Sequence, residues 1–276
     1  MMRSLWTAAS GMRAQQVNVD TIANNVANIN TIGYKSQQAS FKSLLYQNLQ
    51  STSTNNAGEN KPVAAEVGLG SRVAAITSTF TQGNLTHVEN PFSVALEGDG
   101  FFQIRTQSGE LQYTRDGSFE ISPVANGNML CTSDGNPVLD AYGNAIVLPS
   151  NRVATDLVVN QDGTLAFPDG TGNPAVITDA NGRPVKFGIY QFNNPAGLSK
   201  EGSNNYSVTA ASGAAVAENG NAAVKQTKMH QYYTEASNVD VANEMVNLIV
   251  AQRAYEMNSK AIQASDEMMQ QANALR

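Results

Sequence analysis

The sequence is poor in charge: only 14% of its 276 residues are Asp, Glu, Lys or Arg, against the usual quarter. It has one cysteine, Cys131, which excludes an intramolecular disulfide framework. Two histidines, His87 and His230, with that one cysteine leave little material for a transition-metal site. No apolar run is longer than that of Leu248–Ala251, far short of the roughly 18 residues needed to cross a bilayer. A basic surplus is missing too. Seventeen Lys and Arg stand against 23 Asp and Glu, a net charge of −6, so a phosphate backbone finds no basic footprint here. The expectations are no nucleic-acid partner and no membrane-spanning segment. Met1–Met12 carries Arg3 but no apolar stretch of roughly 7–15 residues, so a cleaved signal peptide is not expected.

Glycine and proline are also absent locally. All nine Pro and nearly all of the 22 Gly fall in residues 51–235, and residues 236–276 contain neither. Helical ends therefore bracket a turn-rich middle, and the fold class expected is α+β. The first segment reads as a helix from about Ser4 to Ala27, with an apolar stripe through Leu5, Ala8, Met12, Val19, Ile22 and Val26 at alternating steps of three and four. The last reads as a helix from about Val239 to Ala274, capped by Ser237 or Asn238. It carries two apolar stripes. Val241, Leu248, Tyr255, Ile262 and Met269 recur every seven residues; Val246, Val250, Ala254, Met257, Ala261, Ala264 and Met268 form the second. Residues 1–50 carry Arg3, Arg13, Lys35 and Lys42 against Asp20, a surplus of +3. Residues 239–276 carry Arg253, Lys260 and Arg276 against Asp240, Glu244, Glu256, Asp266 and Glu267, or −2. Opposite signs favour packing of the two ends side by side, as a coiled-coil-like α layer.

The middle reads as β. Turn pairs at Asp116-Gly117, Asn126-Gly127, Asp134-Gly135 and Gly143-Asn144 recur with the rhythm of short antiparallel strands. The expected division is a helix over 1–33, an extended or linker region over 34–89, an inserted antiparallel β-domain over 90–205, a return linker over 206–235 and a helix over 236–276. Residues 51–62 are low complexity and read as an exposed loop, which with its flanks is expected to span 46–66.

Chemistry finds little purchase. There is no Gly-x-Ser-x-Gly elbow. Gly68-Leu69-Gly70 and Gly98-Asp99-Gly100 open no βαβ unit and read as turns or bulges. Asp134-Gly135-Asn136 and Asp162-Gly163 lack the closing Glu of a calcium loop. His87 and His230 read as surface or packing residues, and Cys131 as a small buried hydrophobe. Neighbouring acids such as Glu97 with Asp99, or Asp266 with Glu267, read as solvated. No catalytic, cofactor-binding or metal-binding residue is assigned, and no cofactor. A wall hydrolase or a secreted adhesin remains as an alternative of a different class.

The helices carry a stronger implication. One partner helix cannot cover both stripes of the last segment. The rest must meet other copies or another partner, unless both helices pack on the β-domain within a monomer. The ends are expected to order fully only on assembly.

At three places the residues resemble the bacterial flagellar rod and hook proteins, a family of axial proteins. One is Leu5-Trp6-Thr7-Ala8-Ala9-Ser10-Gly11-Met12 followed by Ile22-Ala23-Asn24-Asn25-Val26-Ala27-Asn28 and Gly33-Tyr34-Lys35. Another is Gly98-Asp99-Gly100-Phe101-Phe102-Gln103 with Tyr113-Thr114-Arg115-Asp116-Gly117-Ser118-Phe119. The third is Glu235-Ala236-Ser237-Asn238-Val239-Asp240 with Glu244-Met245-Val246 and Gln252 to Lys260. The likeness is nearest to distal-rod members, which carry an insert after a segment such as Leu44 to Gln47. It implies a straight helical tube that transmits torque and surrounds the flagellar export channel. The partners implied are other copies of the chain, neighbouring rod and hook proteins, the export apparatus and the basal-body rings. The location implied is the basal-body rod outside the cytoplasmic membrane, reached without a cleaved signal; a hook or proximal rod subunit is the alternative within the family. The residues expected to pack between copies are Leu5, Met12, Val19, Ile22 and Val26, with Val241, Leu248, Tyr255, Ile262 and Met269. Asn24, Asn25 and Asn28 either hydrogen-bond neighbouring backbone or helices, or merely end the first helix.

Overall fold

The computed structural model describes residues 2–50, 65–124, 127–150, 152–169, 173–178, 182–221 and 224–274. The low-complexity stretch 51–62 lies outside them. The fold is α+β, with a long helix at each end and antiparallel strands between. The chain divides into two units. The first comprises residues 1–27, 37–78 and 240–276; the second comprises 28–36 and 79–239.

In the first unit, helix α1 (Met2–Ala27) packs on helix α2 (Val241–Ala274). The α1 sequence is proline-free, and Gly11 is its one strong helix breaker. The helix stops where Asn28-Ile29-Asn30 turns the chain toward Gly33, whose φ of 68° suits glycine. At the start of α2 the cap differs from either sequence candidate. Asp240 Oδ1 accepts the Ala242 backbone N–H at 3.0 Å, and its carbonyl accepts that of Glu244. Asp240 is therefore the N-cap. Asn238 is occupied in the second unit, where its Oδ1 accepts the Ser36 N–H and its Nδ2 donates to Thr79 O and Thr81 Oγ1.

The two helices run antiparallel in constant register. Ser4 Oγ meets Ser265 Oγ at 3.2 Å, a Cβ on Gly11 would lie 3.0 Å from Asn258 Nδ2, and Asn25 Nδ2 donates to Glu244 Oε1 at 3.2 Å. Seven residues along α1, from Ser4 to Gly11, correspond to seven back along α2, from Ser265 to Asn258. The unit is completed by paired strands within the region expected as extended or linker. Strand β1 (Gln37–Ser43) pairs with β4 (Ser71–Ser78), with an irregularity at Ser40 and Phe41. Strand β2 (Tyr46–Gln50) pairs with β3 (Ala65–Gly68). The exposed loop expected over 46–66 therefore begins and ends in paired strand, because backbone pairing of β2 with β3 takes up its two ends.

The second unit is built on a six-stranded antiparallel sheet: Ser199–Gly202, Asn205–Ser207, Leu111–Thr114, Phe101–Arg105, Ile189–Gln191 and Val216–Ala217. Period-two alternation sends neighbouring side chains to opposite faces. Phe102 and Ile104 enter the main core with Phe119, Leu130, Val138 and Phe187, and Phe101 joins Tyr113, Phe192, Leu198 and Tyr206 on the other face. Two three-stranded sheets flank it, ordered Val147–Leu148, Gly127–Cys131, Glu120–Val124 and Val158–Val159, Leu165–Asp169, Asn173–Val176. Pairing also reaches beyond residues 90–205: Lys228–Gln231 joins Val94–Glu97, and Tyr233–Glu235 joins Leu85–His87. Asp116-Gly117 is no hairpin turn. A Cβ on Gly117 would fall on the Val94 carbonyl, so glycine is needed there for close backbone approach.

Candidate assembly site

The α1–α2 pair buries small and polar groups. On α1 the buried side chains are Ala8, Ala14, Thr21, Ile22 and Asn25; on α2, among the described residues, they are Ala251 and Ser265 alone. A 34-residue helix with two buried side chains has most of its apolar surface facing away from its own chain. Of the residues expected to pack between copies, Ile22 is buried within the chain. Leu5, Met12, Val19, Val26, Leu248, Ile262 and Met269 are half-buried along the helix pair, and Val241 and Tyr255 are exposed. All of the second stripe of α2 but the half-buried Ala254 is exposed, with Val246, Val250 and Met257 each 59–66% exposed. Met245 and Ile249 are exposed beside it. They belong to neither stripe in the sequence analysis, because the exposed band is wider than a single heptad line.

Asn25 resolves one choice left open by the sequence. It lies in the last turn of α1 and is fully buried. Its Oδ1 accepts the Gln37 N–H and its Nδ2 donates to Gln37 O, both at 2.8 Å, so the amide pairs with backbone as a strand would. With Glu244 it ties α1, β1 and α2 together at one end of the pair.

More exposed apolar groups lie elsewhere in this unit. Trp6 is 75% exposed on α1; Leu45, Tyr46 and Leu49 are exposed at and beside β2. A cavity of about 480 Å³ opens along α1 and β4 between Ala9, Arg13, Ala14, Arg72 and Val73. Another of about 390 Å³ opens on the helix pair between Gln16, Val19, Gln252, Tyr255 and Glu256.

In the second unit, charge is concentrated inside. Lys35, Arg115 and Glu235 are each 1–2% exposed. Lys35 Nζ meets Glu235 Oε1 at 2.6 Å and donates to Thr81 O at 2.8 Å. Arg115 reaches Glu235 Oε2 at 3.4 Å, donates to Gly98 O at 2.7 Å, and lies over the Phe101 ring. Glu235 Oε1 also accepts the Gly83 N–H, and its backbone carbonyl accepts that of Gly33. Burial lowers the Lys35 pKa, outweighing the opposing pull of Glu235. Burial also pushes the neighbouring Tyr206 phenol up to about 12. This is a closing knot: it joins residue 35 to residue 235, 200 positions apart. The sequence analysis quoted all three residues within its motifs but had no local signal that they meet.

Among the described residues, neither unit presents a catalytic constellation. His230 pairs with Glu97 at 2.7 Å on the surface, and His87 packs against Tyr232 and Tyr233. Burial raises the Cys131 thiol pKa, away from the reactive thiolate. A polar cavity of about 430 Å³ is lined by Gln161, Lys186, Asn219, Gln226 and Lys228, but the adjacent Glu218 carboxylate is occupied by Thr227 and Gln191. Among the described residues no cluster of His, Cys, Asp and Glu could hold a metal ion. No described helix is long and apolar enough to cross a membrane.

Comparison with known proteins matches three stretches. Residues 5–35 match the flagella basal body rod protein family, residues 95–167 the flagellar hook protein FlgE/F/G D1 domain, and residues 230–275 the flagellar basal body rod FlgEFG protein C-terminal region. Each contributes one member of the buried knot: Lys35, Arg115 and Glu235. The flagellar basal-body rod protein FlgG of Borreliella burgdorferi is 43% identical, covering 100% of this chain and 99% of that protein. FlgG of Caulobacter vibrioides is 38% identical over the whole of both chains. The flagellar hook-basal body complex protein FlhP of Bacillus subtilis is 33% identical, again over both whole chains. With full-length relatives at this identity and the helix pair, knot and sheets in place, the chain belongs to the flagellar basal-body rod and hook protein family.

Proposed function

We propose that the chain is a structural subunit of the flagellar basal-body rod, in its distal part. It polymerises into a straight helical tube that surrounds the export channel and transmits torque to the hook. One observation carries this reading: α2 spans 34 residues, about 50 Å at 1.5 Å per residue, yet its apolar outer face is uncovered by its own chain. Full burial of each large side chain there yields about 1.5–3 kcal/mol, and further copies are the natural cover. The constant seven-residue register supports a coiled-coil-like α layer, in which Leu5, Met12, Val19, Ile22 and Val26 with Val241, Leu248, Tyr255, Ile262 and Met269 pack within and between copies. The role is structural, with no catalytic step and no cofactor.

The remaining partners follow from this reading. The chain leaves through the export apparatus, and meets neighbouring rod and hook proteins and the basal-body rings. Residues 46–66 stiffen the tube, and deleting them yields a bendable polymer; unchanged stiffness contradicts that role. Limited proteolysis tests the main reading. In the dilute monomer both helical ends are cut first, and assembly protects them. Ends equally protected in a verified monomer contradict it. A hook or proximal rod subunit is the second reading, favoured by the match to the hook-protein D1 domain and by the FlhP relative. A curved or bendable polymer of the complete chain selects it.

A further inference from the structure

Four of the nine methionines lie on α2: Met245, Met257, Met268 and Met269. Met257 is 66% exposed and Met268 49%, whereas Met229 in the core of the second unit is 1% exposed. Met245 is exposed as well, but its neighbours differ from theirs. It sits beside Val246, Ile249 and Val250, aliphatic side chains that a mild oxidant leaves unchanged. From Ala254 onward the second stripe of α2 reads Ala254, Met257, Ala261, Ala264 and Met268, so its large side chains there are two thioethers. They lie 11 residues apart, about 16 Å along the helix at 1.5 Å per residue. Methionine fills uneven apolar gaps because its chain is unbranched and its sulfur polarisable. That sulfur is also the atom of this stretch open to oxidation.

We propose that Met257 and Met268 form a paired oxidation site, at which hydrogen peroxide switches off the C-terminal half of the exposed stripe for assembly. The sulfur lone pair attacks one peroxide oxygen, forming the S–O bond as the O–O bond breaks. The departing hydroxide takes the proton from the new oxygen, leaving methionine sulfoxide and water. Sulfur loses two electrons and the peroxide gains them. The product is a polar, chiral group where an apolar one stood. Two such groups divide a stretch whose other side chains are alanines, too small to hold a contact by themselves. Cys131 does not compete for the oxidant, because it is buried and its thiol is held away from the thiolate. The switch rests on the self-assembly reading above and gives it a reversible chemical control, since sulfoxide reductases undo the step.

The test exposes the full-length chain to hydrogen peroxide and follows each methionine by peptide mass mapping. In dilute monomer, Met257 and Met268 gain oxygen at least tenfold faster than Met229; in assembled polymer their rate falls at least tenfold. The oxidised chain keeps its helicity by circular dichroism but needs at least a tenfold higher concentration to polymerise. Methionine sulfoxide reductase restores the original concentration. Met257→Leu/Met268→Leu keeps both positions apolar and polymerises normally after the same treatment, whereas Met245→Leu alone gives no protection. Met257→Gln/Met268→Gln reproduces the loss with no oxidant. All of these positions are exposed, so the variants leave the packing of α1 on α2 intact. Oxidation of Met257 and Met268 no faster than that of Met229 overturns the proposal. Normal polymerisation of the oxidised chain or of the Gln variant overturns it while leaving the assembly reading standing. Equal peroxide sensitivity of the Leu pair does the same, because the lesion then lies elsewhere. A wild-type chain that never self-associates removes both.

Discussion

At the scale of single residues, the Lys35–Glu235–Arg115 knot sets the stability of the second unit. Two buried cations share one buried carboxylate, so neutralising that carboxylate strands both. Removing one partner of a buried ion pair costs about 3–5 kcal/mol. Glu235→Gln therefore lowers the melting temperature by several degrees or more, at about 2–4 °C per kcal/mol for a domain of this size. A shift below about 2 °C in calorimetry contradicts the assignment. Tyr206 gives a pH signature. Its folded pKa of about 12 lies above the ordinary 10, so the folded state holds its proton longer. The stability this brings is complete below about pH 10 and is lost as pH rises through 12, about 2–3 kcal/mol in all. Lys35 acts in the opposite sense. Its lowered pKa means stability rises with pH until the unfolded lysine titrates near 10.4. Above that point Lys35 adds no further change, and Tyr206→Phe reduces the alkaline loss seen in denaturant melts at pH 10.5 to 12. An undiminished loss in the variant contradicts it.

At the scale of elements, the helix pair is held by contact between small groups. Gly11 faces Asn258, and Gly11→Leu forces four heavy atoms into that approach. The substitution raises helix propensity, by about 1 kcal/mol, but separates α1 from α2. Circular dichroism and proteolysis of the variant show a helix less protected than wild type; equal or greater protection refutes the close crossing. Both helices were legible in the sequence because their apolar periods run unbroken by proline. Their caps were less so. Ser237, Asn238 and Asp240 are all capable N-caps, and only tertiary contacts decide that Asn238 serves Ser36, Thr79 and Thr81 while Asp240 caps α2. Asp116-Gly117 misled for a related reason. Its glycine answers to the Val94 carbonyl, a neighbour distant in sequence, and not to a local turn. The knot was invisible for the same cause: nothing near Lys35 in the chain announces a partner 200 residues away.

At the scale of the whole molecule, the scarcity of charge acquires a physical sense. Between Val241 and Gln252, α2 carries one charged side chain, Glu244, and that one is held by Asn25. Met245, Val246, Ile249 and Val250 lie exposed in the same stretch. Desolvating charge at a contact is expensive, whereas an apolar band with amide neighbours is ready to be covered. Val246→Asp together with Val250→Asp leaves the monomer fold intact, because both positions already face water, and places two charges where another copy must pack. Electron microscopy of the purified full-length chain at rising concentration, wild type beside this double variant, tests the central claim most directly. The account predicts straight tubes from the wild type and dispersed monomers from the equally helical variant. A wild-type chain that stays monomeric, or a variant that builds the same tubes, contradicts it.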